Sequence, residues 1–224
     1  MALERLLTPL ECRIWAVLFE KQFTVPDSYP LSLNALQNGC NQKSARALQM
    51  DASEAEIRLA LDTLIHANLV LVTSGGRVDR YAQNGGRVLQ IPQQSVAILA
   101  TLILRGPQTT AEIRINAERL HAFADVSAVQ GFLDELSAKE LSGIGSLVVL
   151  LPKAPGAREA RWAHCLCGAP ETMAATNEEA QPLHAHDVSA LDTAVLRTQV
   201  AQLAERVAML ERQLSKVCDE LGIA

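Results

Sequence analysis

The sequence predicts a mainly α-helical fold of the α+β class with small β-hairpins, in which one unit occurs twice and a coiled-coil helix follows. Three observations predict it. Amphipathic helical segments precede β-prone runs that flank turn residues, four apolar positions recur at a constant offset, and an uninterrupted 3-4 apolar spacing marks the last segment.

The first unit begins with two helices. Thr8 is a predicted N-cap, and Pro9 occupies the first helical position, where its missing N–H costs nothing. The apolar spacing that follows predicts a helix to about Lys21. Residues 23–25 and two X-Pro steps predict extended backbone beyond it, and residues 31–40 predict a second helix that Gly39 ends.

A third helix and a hairpin complete this unit. Ser53 and Glu56 form a predicted capping box before an apolar helical stripe. Residues 69–73 and 78–82 predict two strands around the turn at 74–77. Three helices followed by a hairpin are the order of a winged helix-turn-helix, so residues 8–83 are predicted to be the first such domain.

The second unit, residues 92–166, repeats this plan. Four apolar residues of the third helix and its following strand recur 72 positions later, so that Ile57, Leu61, Leu64 and Leu69 become Val129, Leu133, Leu136 and Leu141. Gly106-Pro107 stops its first helix, Thr109 or Thr110 caps the second, and Asp125 caps the third. Strands are predicted at 147–151 and 161–166, and the two domains are expected to join near residues 84–91.

Two further segments complete the predicted organisation. Residues 167–187 have few large apolar side chains and predict a flexible acidic linker. Residues 188–224 predict a coiled-coil helix that pairs two chains, although this helix is short enough to fold onto its own domains instead. Its seam consists of Val200, Leu203, Val207, Leu210, Leu214, Val217 and Leu221.

Charge and composition restrict the classes of function. The net charge of -5 lies in the C-terminal segment, because residues 8–83 hold 7 basic against 8 acidic side chains and residues 167–224 hold 4 against 9. We expect a cytoplasmic protein, since the N-terminus is charged where a signal peptide would be apolar and the 5 cysteines form no regular framework.

Several segments resemble the YceH-like family of bacterial proteins of unknown function. They are LTPLECRI at 7–14, FEKQFTVPDSYPLSLNAL at 19–36, GCNQKSAR at 39–46, LRGPQTTAEIR at 104–114 and PGAREARWAH at 155–164. The resemblance covers both halves of the chain and implies two tandem winged-helix domains. It implies no activity.

Duplex DNA is the leading predicted partner, by analogy with other tandem winged helices. The predicted third helices are net acidic, so contacts are expected from loops and hairpins. The candidate residues are Asn41, Gln42, Lys43, Arg46, Arg77, Arg80, Lys153, Arg158 and Arg161. The first four have a structural alternative, namely capping the second helix and tying the loop after it. The alternative function is a protein-interaction or scaffold module, which the neutral domains favour.

The sequence predicts neither an enzyme nor a metal or other cofactor. It has no Gly-rich phosphate loop and no nucleophile elbow. His164, Cys165 and Cys167 invite a zinc interpretation, but C-x-C is not the C-x2-C spacing of zinc knuckles, and His184 and His186 lie in the predicted linker. Small buried thiols at a strand end are the preferred interpretation.

Overall fold

The computed structural model describes residues 5–74, 78–141, 145–168 and 170. The predicted coiled-coil helix with its seam, residues 171–187 of the predicted linker and the first hairpin tip with Arg77 lie outside the described residues. None of the helices in the described ranges combines the length and the apolar character that a membrane crossing requires.

The described residues form a mixed α/β structure with small antiparallel sheets. The helices are α1 (Pro9–Thr24), α2 (Leu33–Cys40), α3 (Glu54–His66), α4 (Gly85–Leu89), α5 (Gln93–Arg105), α6 (Thr110–Ala117) and α7 (Val126–Ala138). The strands are β1 (Leu31–Ser32), β2 (Val70–Thr73), β3 (Arg80–Gln83), β4 (Glu140–Leu141), β5 (Gly145–Ser146), β6 (Val148–Leu150) and β7 (Trp162–His164).

The predicted helix starts are confirmed by their hydrogen bonds. Thr8, Ser53 and Thr109 each accept a bond from the backbone N–H three residues later, and in each case the glutamate at that later position bonds back to the capping residue. Asp125 caps α7 through its side chain. These reciprocal bonds satisfy N–H groups that a helix start leaves without partners.

Three details of the first half differ from the sequence-based expectation. α1 continues through Phe23 and Thr24, because Phe23 packs on Phe19 one turn earlier and the Thr24 hydroxyl donates to the Glu20 carbonyl. Residues 31–32 form β1 and not the start of a helix, since β3 pairs with them. Gly39 lies inside α2, where an added Cβ would meet Val17 Cγ1 at 2.6 Å.

The two halves share a sheet pattern that goes beyond the predicted repeat. In the first half β3 lies between β1 and β2, in the order β1-β3-β2. In the second half β7 pairs with β6 and forms a bridge to Gln108, which precedes α6 as β1 precedes α2. Arg80 and Arg161 donate to the carbonyls of Pro30 and Pro107, each at 2.9 Å.

The buried residues of both halves form one hydrophobic cluster. Seven of the eight side chains aligned at the offset of 72 are buried, and Leu141 is half-buried against the cluster. α1 packs most extensively against α5, the first helix of the other half. Backbone N–H groups of Leu7 and Ala47 donate to carbonyls of Leu166 and Leu104, both at 2.8 Å. The halves therefore belong to one compact unit.

The segment that joins the halves is itself part of this core. It forms α4, in which Gly85, Val88 and Leu89 are buried. A Cβ placed on Gly85 would come within 2.1 Å of the Trp15 indole nitrogen, so only glycine allows α4 to approach α1 this closely. This contact helps to hold the two halves together.

Candidate functional site

A polar cleft of about 390 Å³ is lined by residues of both halves. The end of α1 and the loop after α2 form one wall, and α5 and α6 with the residues that follow them form the other. Lys21, Arg105 and Arg119 bring three basic side chains to it, and Glu20 brings one carboxylate. Arg105 and Arg119 are exposed to solvent. The cleft therefore brings together basic side chains from separate segments of the chain.

The carboxylate in this cleft is neutralised by Arg46. Two guanidinium nitrogens of Arg46 donate to the two oxygens of Glu20 at 3.0 and 2.6 Å, and the Arg46 side chain is 0% exposed. Burial by itself would raise the pKa of Glu20, but the hydrogen bonds and the charge of Arg46 outweigh it and the pKa is lowered. Lys21 lies 3.4 Å from the same carboxylate and donates to Gln42 Oε1 at 3.0 Å.

The predicted loop candidates are largely engaged within the protein. The Asn41 amide donates to the Ala52 carbonyl at 2.9 Å and accepts from the Ala52 N–H at 2.8 Å, which ties α2 to the start of α3. Gln42 donates to the carbonyl of Ser44 and accepts from Lys21. Lys43 is exposed. These contacts are the ones expected from the structural alternative for Asn41, Gln42 and Arg46.

The predicted hairpin candidates within the described residues do not line this cleft. Arg161 donates to both carboxylate oxygens of Glu112 at 2.9 and 3.0 Å, in addition to the Pro107 carbonyl. Lys153 and Arg158 are exposed on the loop between β6 and β7. Arg80 is exposed on β3. Arg161 is therefore partly occupied by its ion pair, whereas Lys153 and Arg158 project into solvent.

The outer surface of α3 is acidic and apolar. Glu54, Glu56 and Asp62 are exposed there, and Arg58 is paired with Glu54 at 2.8 Å. Leu59 is 71% exposed on the same helix. This face offers little attraction to a polyanion, as the sequence predicted.

A second cavity, of about 330 Å³, is mainly apolar and contains a cluster of soft metal-ligand side chains. Cys12, His164 and Cys167 each place a possible ligand atom within 4.8 Å of the other two. Burial lowers the pKa of His164 to about 4, so its imidazole is neutral near pH 7. The hydrogen bond between the thiols and burial raise the pKa of Cys12.

Sequence reasoning considered most of these residues but could not predict which of them lie close together in the fold. It did not single out Arg105 and Arg119, although the end of α5 and the residues after α6 bring both to the cleft. It considered His164, Cys165 and Cys167 as a trio, whereas the structure replaces Cys165 by Cys12, a residue 152 positions before His164. No spacing rule connects residues that far apart, so only chain packing could reveal the pairing.

Comparisons with known proteins agree on one family. A family model described as "Protein of unknown function, DUF480" matches residues 7–157. A UPF0502 protein of Leptothrix cholodnii is 52% identical over 217 residues, which cover 97% of this chain and 96% of that protein. Similar proteins from Burkholderia lata and Cupriavidus metallidurans are 52% and 49% identical, over 98% of this chain and 91% and 88% of theirs. The resemblance inferred from the motifs is thereby confirmed.

Proposed function

Because this chain belongs to the DUF480 family of proteins of unknown function, we propose a function from its structure: it binds duplex DNA as a tandem winged-helix protein and acts in gene regulation. The cleft that contains Lys21, Arg105 and Arg119, hereafter the basic cleft, contacts the phosphate backbone.

The order of elements supports the winged-helix assignment. Each half has three helices followed by antiparallel strands, with the short pair β4–β5 standing between α7 and the hairpin β6–β7 in the second half. In both halves the last strand, β3 or β7, pairs with the segment just before the second helix. In this arrangement α2 with α3, and α6 with α7, correspond to the helix-turn-helix pair. The hairpins β2–β3 and β6–β7 correspond to the wings.

The basic cleft is the observation that carries the DNA proposal. Three basic side chains from separate segments line the same cleft as one carboxylate, which Arg46 already neutralises. Basic side chains that approach DNA displace the counterions condensed on its phosphates, and this release supplies most sequence-independent affinity. Phosphate contacts position a protein on DNA without reading bases. We therefore propose binding with weak sequence preference, aided by the exposed Lys43 beside the basic cleft.

Salt dependence tests this proposal directly. For three phosphate contacts we expect log affinity to fall with log salt at a slope of about -2.7, which is a loss of roughly 40-fold between 50 and 200 mM. The measurement is fluorescence anisotropy of a labelled duplex with the full chain. In the double variant Arg105→Ala, Arg119→Ala, loss of two contacts reduces the slope to about -1.

The matched control is Arg58→Ala, which removes an exposed arginine of α3 that is paired with Glu54. It should leave affinity and slope unchanged. If the unmodified protein retains no duplex at about 50 mM salt, or the double variant binds as well as the control, DNA binding through the basic cleft is wrong.

A protein-interaction module is the second candidate function, and Leu59 favours it. Leu59 is 71% exposed and lies among carboxylates, so this face is better suited to contact with another protein than with a DNA groove. If the protein is an interaction module, Leu59→Ser should abolish capture of a specific protein partner, whereas the double variant Arg105→Ala, Arg119→Ala should capture that partner normally. The opposite pattern favours DNA.

We further propose that two chains pair through the C-terminal seam in the cytoplasm, where the thiols stay reduced. Sedimentation of the full chain tests this pairing. Leu210→Glu places a charge at a central seam position and should convert the dimer to a monomer. A dimer that persists in this variant would contradict pairing through the seam.

A further inference from the structure

Three soft ligand side chains meet at the mainly apolar cavity described above. Cys12 lies in the first turns of α1, His164 is the last residue of β7, and Cys167 lies in the turn that follows. The two sulfur atoms are 2.9 Å apart, and a ring nitrogen of His164 lies within 4.8 Å of both. Such convergence of two cysteines and one histidine from distant segments calls for a reason beyond packing.

Backbone hydrogen bonds hold these segments in place. The Leu7 N–H donates to the Leu166 carbonyl at 2.8 Å, which fixes the turn with Cys167 against the start of α1. The Cys165 N–H donates to the Leu147 carbonyl, and Gly168 closes the turn by donating to the Cys165 carbonyl, both at 2.9 Å. The ligand atoms are therefore positioned by the fold before any ligand arrives.

We propose that Cys12, His164 and Cys167 bind one zinc ion, with a fourth coordination position open to the adjoining cavity. Zinc prefers thiolate and imidazole ligands in tetrahedral geometry, and sites with three protein ligands leave one position for water or a small molecule. Zinc–sulfur bonds of about 2.3 Å require sulfur atoms roughly 3.7 Å apart. The sulfurs therefore separate by roughly 0.8 Å when the ion enters.

The chemistry of His164 supports this site. Among the described residues, its Nδ1 atom is buried and has no hydrogen-bond partner. A buried polar nitrogen without a partner is costly, and ligation of a metal through Nδ1 would give this atom a partner.

Charge balance also suits zinc in this environment. Two thiolates and a neutral imidazole cancel the charge of a divalent ion, so the complex can remain in apolar surroundings without a large desolvation cost. Binding releases the two thiol protons to solvent and changes no oxidation state. The cavity beyond the ligands is lined by apolar side chains that include Leu48, Met50, Leu102 and Ile103. A small molecule with a sulfur or oxygen donor and an apolar body fits the open position.

Cys165 provides a matched control, because it is a neighbouring buried cysteine that does not join the cluster. It follows His164 directly and therefore lies on the opposite side of the strand end, where Ser146 contacts its thiol. Cys165→Ser should leave metal binding unchanged.

The test uses reduced full-length protein without an affinity tag. Zinc affinity is measured by competition with a chromophoric chelator, and cobalt replaces zinc for absorption spectroscopy. We expect one ion per chain and thiolate-to-cobalt charge-transfer bands. Cys167→Ser and His164→Gln should each weaken binding by more than about 100-fold, since even outer hydrogen-bond partners of ligands contribute 10- to 100-fold. Circular dichroism and unfolding midpoints establish that these variants fold.

Other outcomes overturn the proposal. It is wrong if the reduced protein takes up no zinc or cobalt, or if Cys167→Ser binds as tightly as Cys165→Ser. It is also wrong if mass spectrometry shows that a Cys12–Cys167 disulfide forms under the conditions in which zinc is present. If the double variant His184→Ala, His186→Ala loses zinc binding, the fourth coordination position is not open, and this part of the proposal is wrong.

Discussion

Several polar side chains that the sequence offers as candidates for binding a partner form hydrogen bonds or ion pairs within the protein instead. Arg46 carries a positive charge in a loop and is a reasonable candidate for nucleic-acid contact, yet its side chain is fully buried against Glu20. The side-chain amide of Asn41 is similarly hydrogen-bonded to the backbone of Ala52. Burial of a charged group requires a partner, so the glutamate on α1 determines the role of the arginine.

Glu20→Gln should destabilise the protein by about 3 kcal/mol, because it leaves the buried Arg46 without a counter-charge. The measurement is urea unfolding at pH 7. Glu54→Gln is the control, since Glu54 and Arg58 form an ion pair whose side chains are 55% and 59% exposed. Exposed ion pairs contribute little to stability, so the control should unfold almost as the parent does. Equal losses in both variants would contradict the role of burial.

The same pair should make stability depend on pH. The pKa of Glu20 is lower in the folded protein than in the unfolded chain, so its contribution is present above the ordinary carboxyl pKa and is lost as pH falls through the lower folded value. The difference in unfolding free energy between the parent and Glu20→Gln should therefore shrink below about pH 4. A difference that stays constant down to pH 2 would contradict this.

Two glycines should respond to alanine in opposite ways. Gly85→Ala brings a methyl group to within 2.1 to 2.4 Å of three Trp15 atoms and should cost about 3 kcal/mol, with altered tryptophan fluorescence. Gly131 has open space around it on α7, so Gly131→Ala should stabilise by about 0.5–1 kcal/mol. Thermal and urea unfolding measure both. A neutral Gly85→Ala would mean that α4 does not need close contact with α1.

At the scale of elements, helix starts depend on local sequence, so substitution of a single capping residue should destabilise the helix that it caps. Ser53→Ala and Thr109→Ala each remove a capping side chain and should cost about 1 kcal/mol in urea unfolding. Ser127→Ala, at an exposed position in the first turn of α7, is the control and should change stability by less than about 0.5 kcal/mol. If Ser127→Ala lowers the free energy of unfolding as much as the two cap variants do, the loss of stability is not caused by loss of the caps.

The short strands behave differently from the helices. β1 has two residues, and its counterpart in the second half is the bridge at Gln108. Neither has enough length for an alternating pattern, so residues 31–32 were predicted as helix. They adopt extended backbone because β3 offers partners for their hydrogen bonds. These pairs nonetheless tie the second helix of each half to its hairpin.

At the scale of the whole molecule, one shared core should give one unfolding transition. Leu64→Ala and Leu136→Ala remove aligned buried side chains from different halves, and each should cost about 2–5 kcal/mol. Because α1 packs against α5, both variants should shift the midpoint of a single urea transition with an unchanged slope. A biphasic curve in either variant would show that the predicted domains 8–83 and 92–166 unfold separately.

The sequence by itself determined the elements that depend on near neighbours. Helix caps, apolar stripes, turn residues and the offset of 72 positions involve contacts within a few residues or a repeated pattern, so they can be seen in one dimension. The family motifs at 7–14 and 19–46 likewise lie within continuous stretches.

Only the tertiary structure decided which distant residues meet. Packing of α1 on α5 brings Lys21 and Arg105 to the same cleft, and the turn after β7 brings Cys167 to Cys12. The physical reason is that side-chain chemistry acts over a few ångströms in space, whatever the separation along the chain. Burial then decides whether a charge such as that of Arg46 serves the core or remains available to a partner.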